Sequence, residues 1–166
     1  MVEHRGPGIS PSSFHDIRVG DSLPSLQKGP MTALHLMRWS AAVENWHRIH
    51  YDTEFTVGHD GLPERLVNGS WKQQVLVQLV KDWAGDIGWL WKISLQFRGM
   101  DLIGDTLTAW GTVADLRTAD GMGLAECEIG LRNQRGEETT PGRAIVVFPL
   151  AVGEVVGYPF VPPREP

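Results

Sequence analysis

Eight consecutive residues, Asn45-Trp46-His47-Arg48-Ile49-His50-Tyr51-Asp52, hold two imidazoles, an amide, a guanidinium and a carboxylate, with an indole and a phenol between them. No other stretch of the chain is as dense in groups that donate, accept or move protons. An imidazole titrates near neutrality, so a positioned histidine acts as general acid or base at the pH of a cell. Taken alone, the cluster reads equally well as a hydrogen-bonded structural corner.

Two helices must position it. Thr32, shortly after Pro30, is a good N-cap for a helix over residues 33–42, with Leu34, Met37 and Ala41 at helical spacing, and this helix delivers the chain into the cluster. The clearest helix covers residues 70–84. Trp71, Val75, Leu76, Leu79, Val80 and Trp83 form one apolar stripe, while Lys72, Gln73, Gln74, Gln78, Lys81 and Asp82 occupy much of the remaining face. Asn68 or Ser70 can cap its start and Gly85 suits its end. Val77 is the exposed misfit, a candidate second contact surface. His59, beside Asp60-Gly61, reads as a solvated loop residue.

The period then changes from helical to alternating. After a short early strand over residues 23–28, strands are expected at 89–98, 106–116, 124–133 and 143–150, with Trp89, Trp91, Ile93, Leu95 and Phe97 on one face. Asp120-Gly121 and Arg135-Gly136 mark hairpin turns, so the strands build an antiparallel sheet. One long helix followed by a run of strands implies an α+β fold in which the sheet wraps the helix. Residues 1–12 read as a flexible arm, 13–150 as one domain, and 151–166 as a proline-rich tail that Tyr158 or Phe160 anchors.

A chain of 166 residues suits one domain with a real core. The net charge of −5, with no basic cluster, lacks the footprint of a nucleic-acid binder. The single cysteine, Cys127, excludes an internal disulfide and a cysteine-built zinc site and reads as a packed thiol. No stretch is apolar enough to span a bilayer, and the expected compartment is the cytoplasm. The seven tryptophans are expected mainly in the core or at a subunit interface, with one or two free to line an acyl or aromatic ligand tunnel.

The cluster resembles the signature of MaoC-like hot-dog hydratases and dehydratases of acyl thioesters, Ser-Gly-Asp-x-Asn-Pro-Ile-His-x-Asp. Ile49, His50 and Asp52 match; Asn45 stands at the family's catalytic aspartate and His47-Arg48 at its Asn-Pro. The form Asn-x-His-Arg-Ile-His-Tyr-Asp is similar to the branch holding mesaconyl-CoA-type hydratases and the type 2 hydroxyacyl-thioester dehydratase. Val19-Gly20-Asp21, and Phe97-Arg98-Gly99 with Gly104-Asp105, also match, although Met100-Asp101 replaces the family's Pro-Val. The likeness covers residues 14–149.

The resemblance implies a hot-dog fold and reversible hydration of a 2-enoyl-CoA or dehydration of a 3-hydroxyacyl-CoA. It implies His50 as general base and acid, Asn45 orienting water, and His47 as a spare titratable or supporting group. Asp52 would orient His50 or cap the turn, and Arg48 would meet a carboxylate or a CoA phosphate. Gly69 and Ser70 correspond to the family's oxyanion-binding helix start, which a plain helix cap would satisfy equally well. No metal and no retained cofactor are expected. Hot-dog sheets usually pair, implying a homodimer or larger homo-oligomer, or a heteromer with another hot-dog chain. The alternative is a catalytically silent subunit that binds acyl-CoA or completes a partner's site, with Asn45 marking the lost acid.

Overall fold

The computed structural model describes residues 10–164. Two α-helices, α1 (Ala33–Ala42) and α2 (Gly69–Ala84), accompany five strands: β1 (Leu26–Lys28), β2 (Trp89–Leu95), β3 (Leu107–Ala119), β4 (Met122–Asn133) and β5 (Glu138–Pro149). All strand pairs are antiparallel, in the order β1-β3-β4-β5-β2. The meander is therefore β3-β4-β5, while β2, which follows α2 directly, lies at the far edge beside β5. Asp120 and Gly121 both take positive φ (48° and 75°) between the paired Ala119 and Met122, the two-residue turn whose twist matches the flanking strands.

The sheet curls around α2. Val75, Leu76, Leu79, Val80 and Trp83 are buried against Val113, Cys127, Ile129, Val146 and Phe148, which gives the expected α+β hot-dog arrangement. Truncating Leu76 or Leu79, both almost fully enclosed, to alanine would cost ~2–5 kcal/mol. Burial, with the neighbouring Glu126, pushes the Cys127 thiol up to about 12, so it packs as an inert apolar group. Of the tryptophans only Trp83 joins the buried core, and Trp46 is more than half exposed. Val77 is half-buried rather than exposed.

Three local expectations are corrected by packing. In β2 the pairing with β5 slips between Leu90 and Lys92, making Trp91 a bulge. One extra residue reverses the alternation, so Leu90, Ile93 and Leu95 face the core while Trp89 and Trp91 turn outward. In α1 the buried residues are Leu36 and Ser40, and Leu34 and Met37 face solvent. Leu36, packed in a small cluster with Met31 and Val67, fixes the roll of that helix. Lys72, placed on the polar face by its residue type, is 3% exposed.

The ends of the described chain lie on the domain. Ser10 Oγ donates to the Asp82 carbonyl at 3.0 Å, and residues 1–9 of the expected arm lie outside the described residues. In the tail, Phe160 stacks on Trp89 with centroids 5.3 Å apart, and the Arg164 N–H donates to Asp120 Oδ2 at 2.7 Å. Tyr158 is 89% exposed and anchors nothing. Among the described residues no helix is long and apolar enough to cross a membrane.

Candidate active site

The site is assembled where α1 ends, α2 begins and the 97–105 loop returns beneath them. His50 closes a single tight turn over Arg48–His50 and is 6% exposed. Its Nδ1 lies 2.9 Å from the Leu66 carbonyl oxygen. A carbonyl only accepts, so Nδ1 carries the proton and the Nε2 lone pair is left for a base. Leu66 is itself held by its N–H donating to the Ile49 carbonyl at 2.9 Å. The two segments thus fasten each other, and Gly69 follows three residues beyond Leu66.

Asn45 is half-buried, and its Oδ1 accepts the His47 N–H at 3.2 Å. An amide oxygen has two lone pairs, so this bond leaves one free. His47 is exposed; its Nδ1 receives the Ile49 N–H at 3.4 Å, and its ring stands edge-on to those of His50 and Phe55 at 6.4 and 6.3 Å.

Asp52 caps the turn and makes no bond to His50. Its Oδ1 accepts the Phe55 N–H at 3.0 Å, opening the wide turn Glu54–His59, and its Oδ2 accepts Arg48 Nη2 and Nε at 2.6 and 2.9 Å. The Phe55 N–H first, and the Arg48 guanidinium second, hold its carboxyl below the usual range. Arg48 therefore meets a carboxylate of its own chain, and it also lies over the Phe55 ring at 4.5 Å. His59 stacks on the same Phe55 ring at 4.8 Å and is largely solvated, as its setting predicts.

The start of α2 separates the two oxyanion candidates. Asn68 is the N-cap, and its Oδ1 takes both the Ser70 N–H (2.9 Å) and the Ser70 Oγ–H (2.6 Å). Ser70 Oγ in turn accepts Trp39 Nε1–H at 2.9 Å, tying α1 to α2. The Ser70 amide is consumed by the cap. The Gly69 N–H has no acceptor among the described residues and sits at the positive end of a 16-residue helix. The Phe97 ring covers Gly69, where an added Cβ would meet it at an ordinary 3.5 Å. Trp39, whose indole N–H meets Ser70, and Trp71 line a groove of about 360 Å³ with Met31, His35 and Gln74.

Two features escaped the sequence reading. His35 Nδ1 accepts the Thr32 N–H at 3.0 Å, completing a capping box in which histidine replaces the usual Glu or Gln. Lys72 Nζ donates to Asp101 Oδ2 at 2.9 Å and to the Gly99 carbonyl at 3.0 Å, and Thr139 Oγ1 donates to the same Asp101 oxygen at 2.7 Å. Helical spacing carried a signal for the second: Lys72 precedes Leu76 by four residues and Leu79 by seven, so it belongs to the buried stripe. No cluster suited to a metal ion occurs among the described residues.

The family model for hydroxyacyl-thioester dehydratase type 2 matches residues 18–104, more than half the chain and the whole of this site. The chain belongs to the type 2 hydroxyacyl-thioester dehydratase family. It is accordingly a hydratase or dehydratase of acyl thioesters. A search of curated proteins returns no match. Among solved structures, the (R)-hydratase from A. caviae involved in PHA biosynthesis is similar at 23% identity and TM-score 0.71, over 80% of this chain and 98% of that one. R-hydratase PhaJ1 from Pseudomonas aeruginosa aligns at 16% identity and TM-score 0.73, over 92% and 95%. The ChsH1-ChsH2 complex from Mycobacterium tuberculosis aligns at 22% identity and TM-score 0.68, over 79% and 98%. These likenesses carry the fold, and the family match carries the class of reaction.

Proposed function

We propose that this dehydratase-family chain interconverts a 2-enoyl-CoA and a 3-hydroxyacyl-CoA, with His50 as the one proton-transfer residue. The observation that carries this is the His50–Leu66 bond, which occupies Nδ1 as the donor and so makes Nε2 the ring nitrogen available to a proton. In hydration, Nε2 takes a proton from water as the water oxygen attacks the β-carbon. Negative charge moves onto the thioester oxygen, where the Gly69 N–H meets it at the helix start. The imidazolium then returns its proton to the α-carbon, and dehydration runs the same steps backwards.

Asn45 takes no proton at neutral pH. Its free oxygen lone pair accepts a hydrogen bond from the attacking water and aims it. His47 supports through its ring edge, and Asp52 acts at one remove by holding the turn. The groove beside Trp39 and Trp71 suits the apolar or pantetheine part of the thioester. The outer side of β2 pairs with no strand among the described residues, which suits a homodimer, a larger homo-oligomer, or a heteromer with another hot-dog chain. A lone buried thiol suits the reducing cytoplasm.

The test is the loss of enoyl-thioester absorbance when purified protein meets a panel of 2-enoyl-CoAs. Wild type should consume the conjugated absorbance, and His50→Ala should not. Turnover seen only after a partner chain is added would instead make this a silent subunit that completes another chain's site.

A further inference from the structure

Lys72 and Asp101 are the most deeply buried pair of opposite charges in the described chain, with side chains 4% and 0% exposed. Burying two charges is costly, and such a pair adds little to stability over apolar groups of the same shape. Here it sits one helical turn beyond Gly69. Asp101 also stands at a position where the resembling motif carries valine, so an apolar residue would suit the loop, and the charge that replaces it is met by a charge on α2.

The hydrogen bonds around this pair lead to both halves of the proposed chemistry. Asp101 presents its backbone carbonyl to the Val67 N–H at 2.8 Å, and the Ile103 N–H donates to the Arg65 carbonyl at 3.0 Å. Residues 101–103 are thereby laced to residues 65–67, with Leu66 and Leu102 bridged. That segment gives the Leu66 carbonyl to His50 at one point and leads into the Asn68 cap and the Gly69 amide at the next. From the other side, Lys72 grips the loop through Gly99 and Asp101, and Thr139 of β5 grips Asp101. Gly99 lies against Thr139 so closely that a Cβ there would come within 3.0 Å of it. Lys72 Nζ also lies 5.5 Å from the centre of the Phe97 ring, the ring that covers Gly69.

We infer that Lys72 and Asp101 are a positioning pair that sets the spacing between the His50 imidazole and the Gly69 amide. The pair touches no reacting atom. It clamps the 97–105 loop between α2 and β5, and the loop holds residues 65–67, from which base and oxyanion donor are both hung. A base and a charge-stabilising donor must meet one substrate together, and a displacement of about 1 Å can cost on the order of 10²-fold in rate. This rests on the hydratase reading of His50 and Gly69.

The experiment compares full-length wild type with Lys72→Met, Asp101→Asn and the double variant K72M/D101L, in which apolar groups fill the space. Each single change strands one buried charge and can unfold the protein, so the double variant is decisive. Its melting temperature should stay near wild type while kcat for 2-enoyl-CoA hydration falls at least tenfold and KM moves less than threefold. A double variant with wild-type kcat would show that the pair only neutralises itself, and would overturn the inference. The His50 Nδ1–H resonance supplies a readout apart from turnover: its exchange with solvent should speed at least tenfold in the folded double variant. If wild type turns over no enoyl thioester, the hydratase reading fails by itself. Unchanged Nδ1–H protection in the double variant would then refute the positioning role as well.

Discussion

The Leu66 carbonyl oxygen lies 2.9 Å from His50 Nδ1, and this bond decides which imidazole nitrogen is held as a donor and which is left without a partner among the described residues. Leu66 carries no chemistry in its side chain; its backbone carbonyl does the work. The same segment ends in the Asn68 cap, which ties up the Ser70 amide and leaves that of Gly69 free.

Gly69 offers a clean test of the oxyanion role. It is the first helical residue, where proline is tolerated because its missing N–H would have no partner within the helix. Asn68 has ψ 131°, a conformation that accepts a following proline. Gly69→Pro should fold with a melting temperature near wild type yet lose about 10²–10³-fold in kcat. Gly69→Ala, which keeps the N–H and meets Phe97 at ordinary contact, should keep most of the activity. Equal activity in the two variants would remove Gly69 from the chemistry.

Asn45 should tolerate aspartate better than alanine. A carboxylate can accept the His47 N–H as the amide oxygen does, so Asn45→Asp keeps both the turn and an acceptor for water. Asn45→Ala loses both and should fall by about 10²-fold in kcat, the size expected when a reacting group is no longer positioned. Steady-state kinetics on one enoyl-CoA decides it, and an alanine variant as fast as wild type would exclude the residue from orienting water.

Acid should loosen the 97–105 loop through Asp105. Burial pushes that carboxyl up, but hydrogen bonds from the Leu102 N–H, Gln134 and Arg135 outweigh it and leave it below its ordinary 3.8. A folded-state pKa that is depressed contributes stability above the unfolded value, and the contribution is lost as pH falls from there through the folded value. Urea unfolding followed from pH 7 to pH 3 should therefore show stability falling below about pH 4, as expected for an aspartate. Asp105→Asn should start less stable at pH 7 and decline less. Parallel pH profiles for the two proteins would contradict the assignment.

The tail should matter for stability through one ring. Phe160→Ala removes the stacked partner of Trp89 and should cost about 0.5–1.5 kcal/mol beyond the lost apolar burial. Tryptophan emission should shift to the red as Trp89 and Trp91 gain solvent. Tyr158→Ala, at a side chain that is almost fully exposed, should do neither.

By itself the sequence determined whatever rests on neighbours along the chain. The stripe from Trp71 to Trp83 repeats at helical period, Thr32 and Asn68 cap helices, and Asp120-Gly121 makes a tight hairpin. The eight-residue run from Asn45 to Asp52 marked the site. Each is a matter of local spacing and backbone preference, legible within a few residues. The tertiary structure decided what depends on residues distant in sequence. It tied the start of α2 to α1, because the Ser70 hydroxyl meets the Trp39 indole N–H from another helix. It set the His50 proton through Leu66, sixteen residues away. It turned Trp89 and Trp91 outward by a bulge against β5, and it buried Lys72 against Asp101. A side chain's type states what it can bond to, but its partner is fixed only when the chain folds back and the competing partners, water included, have been excluded.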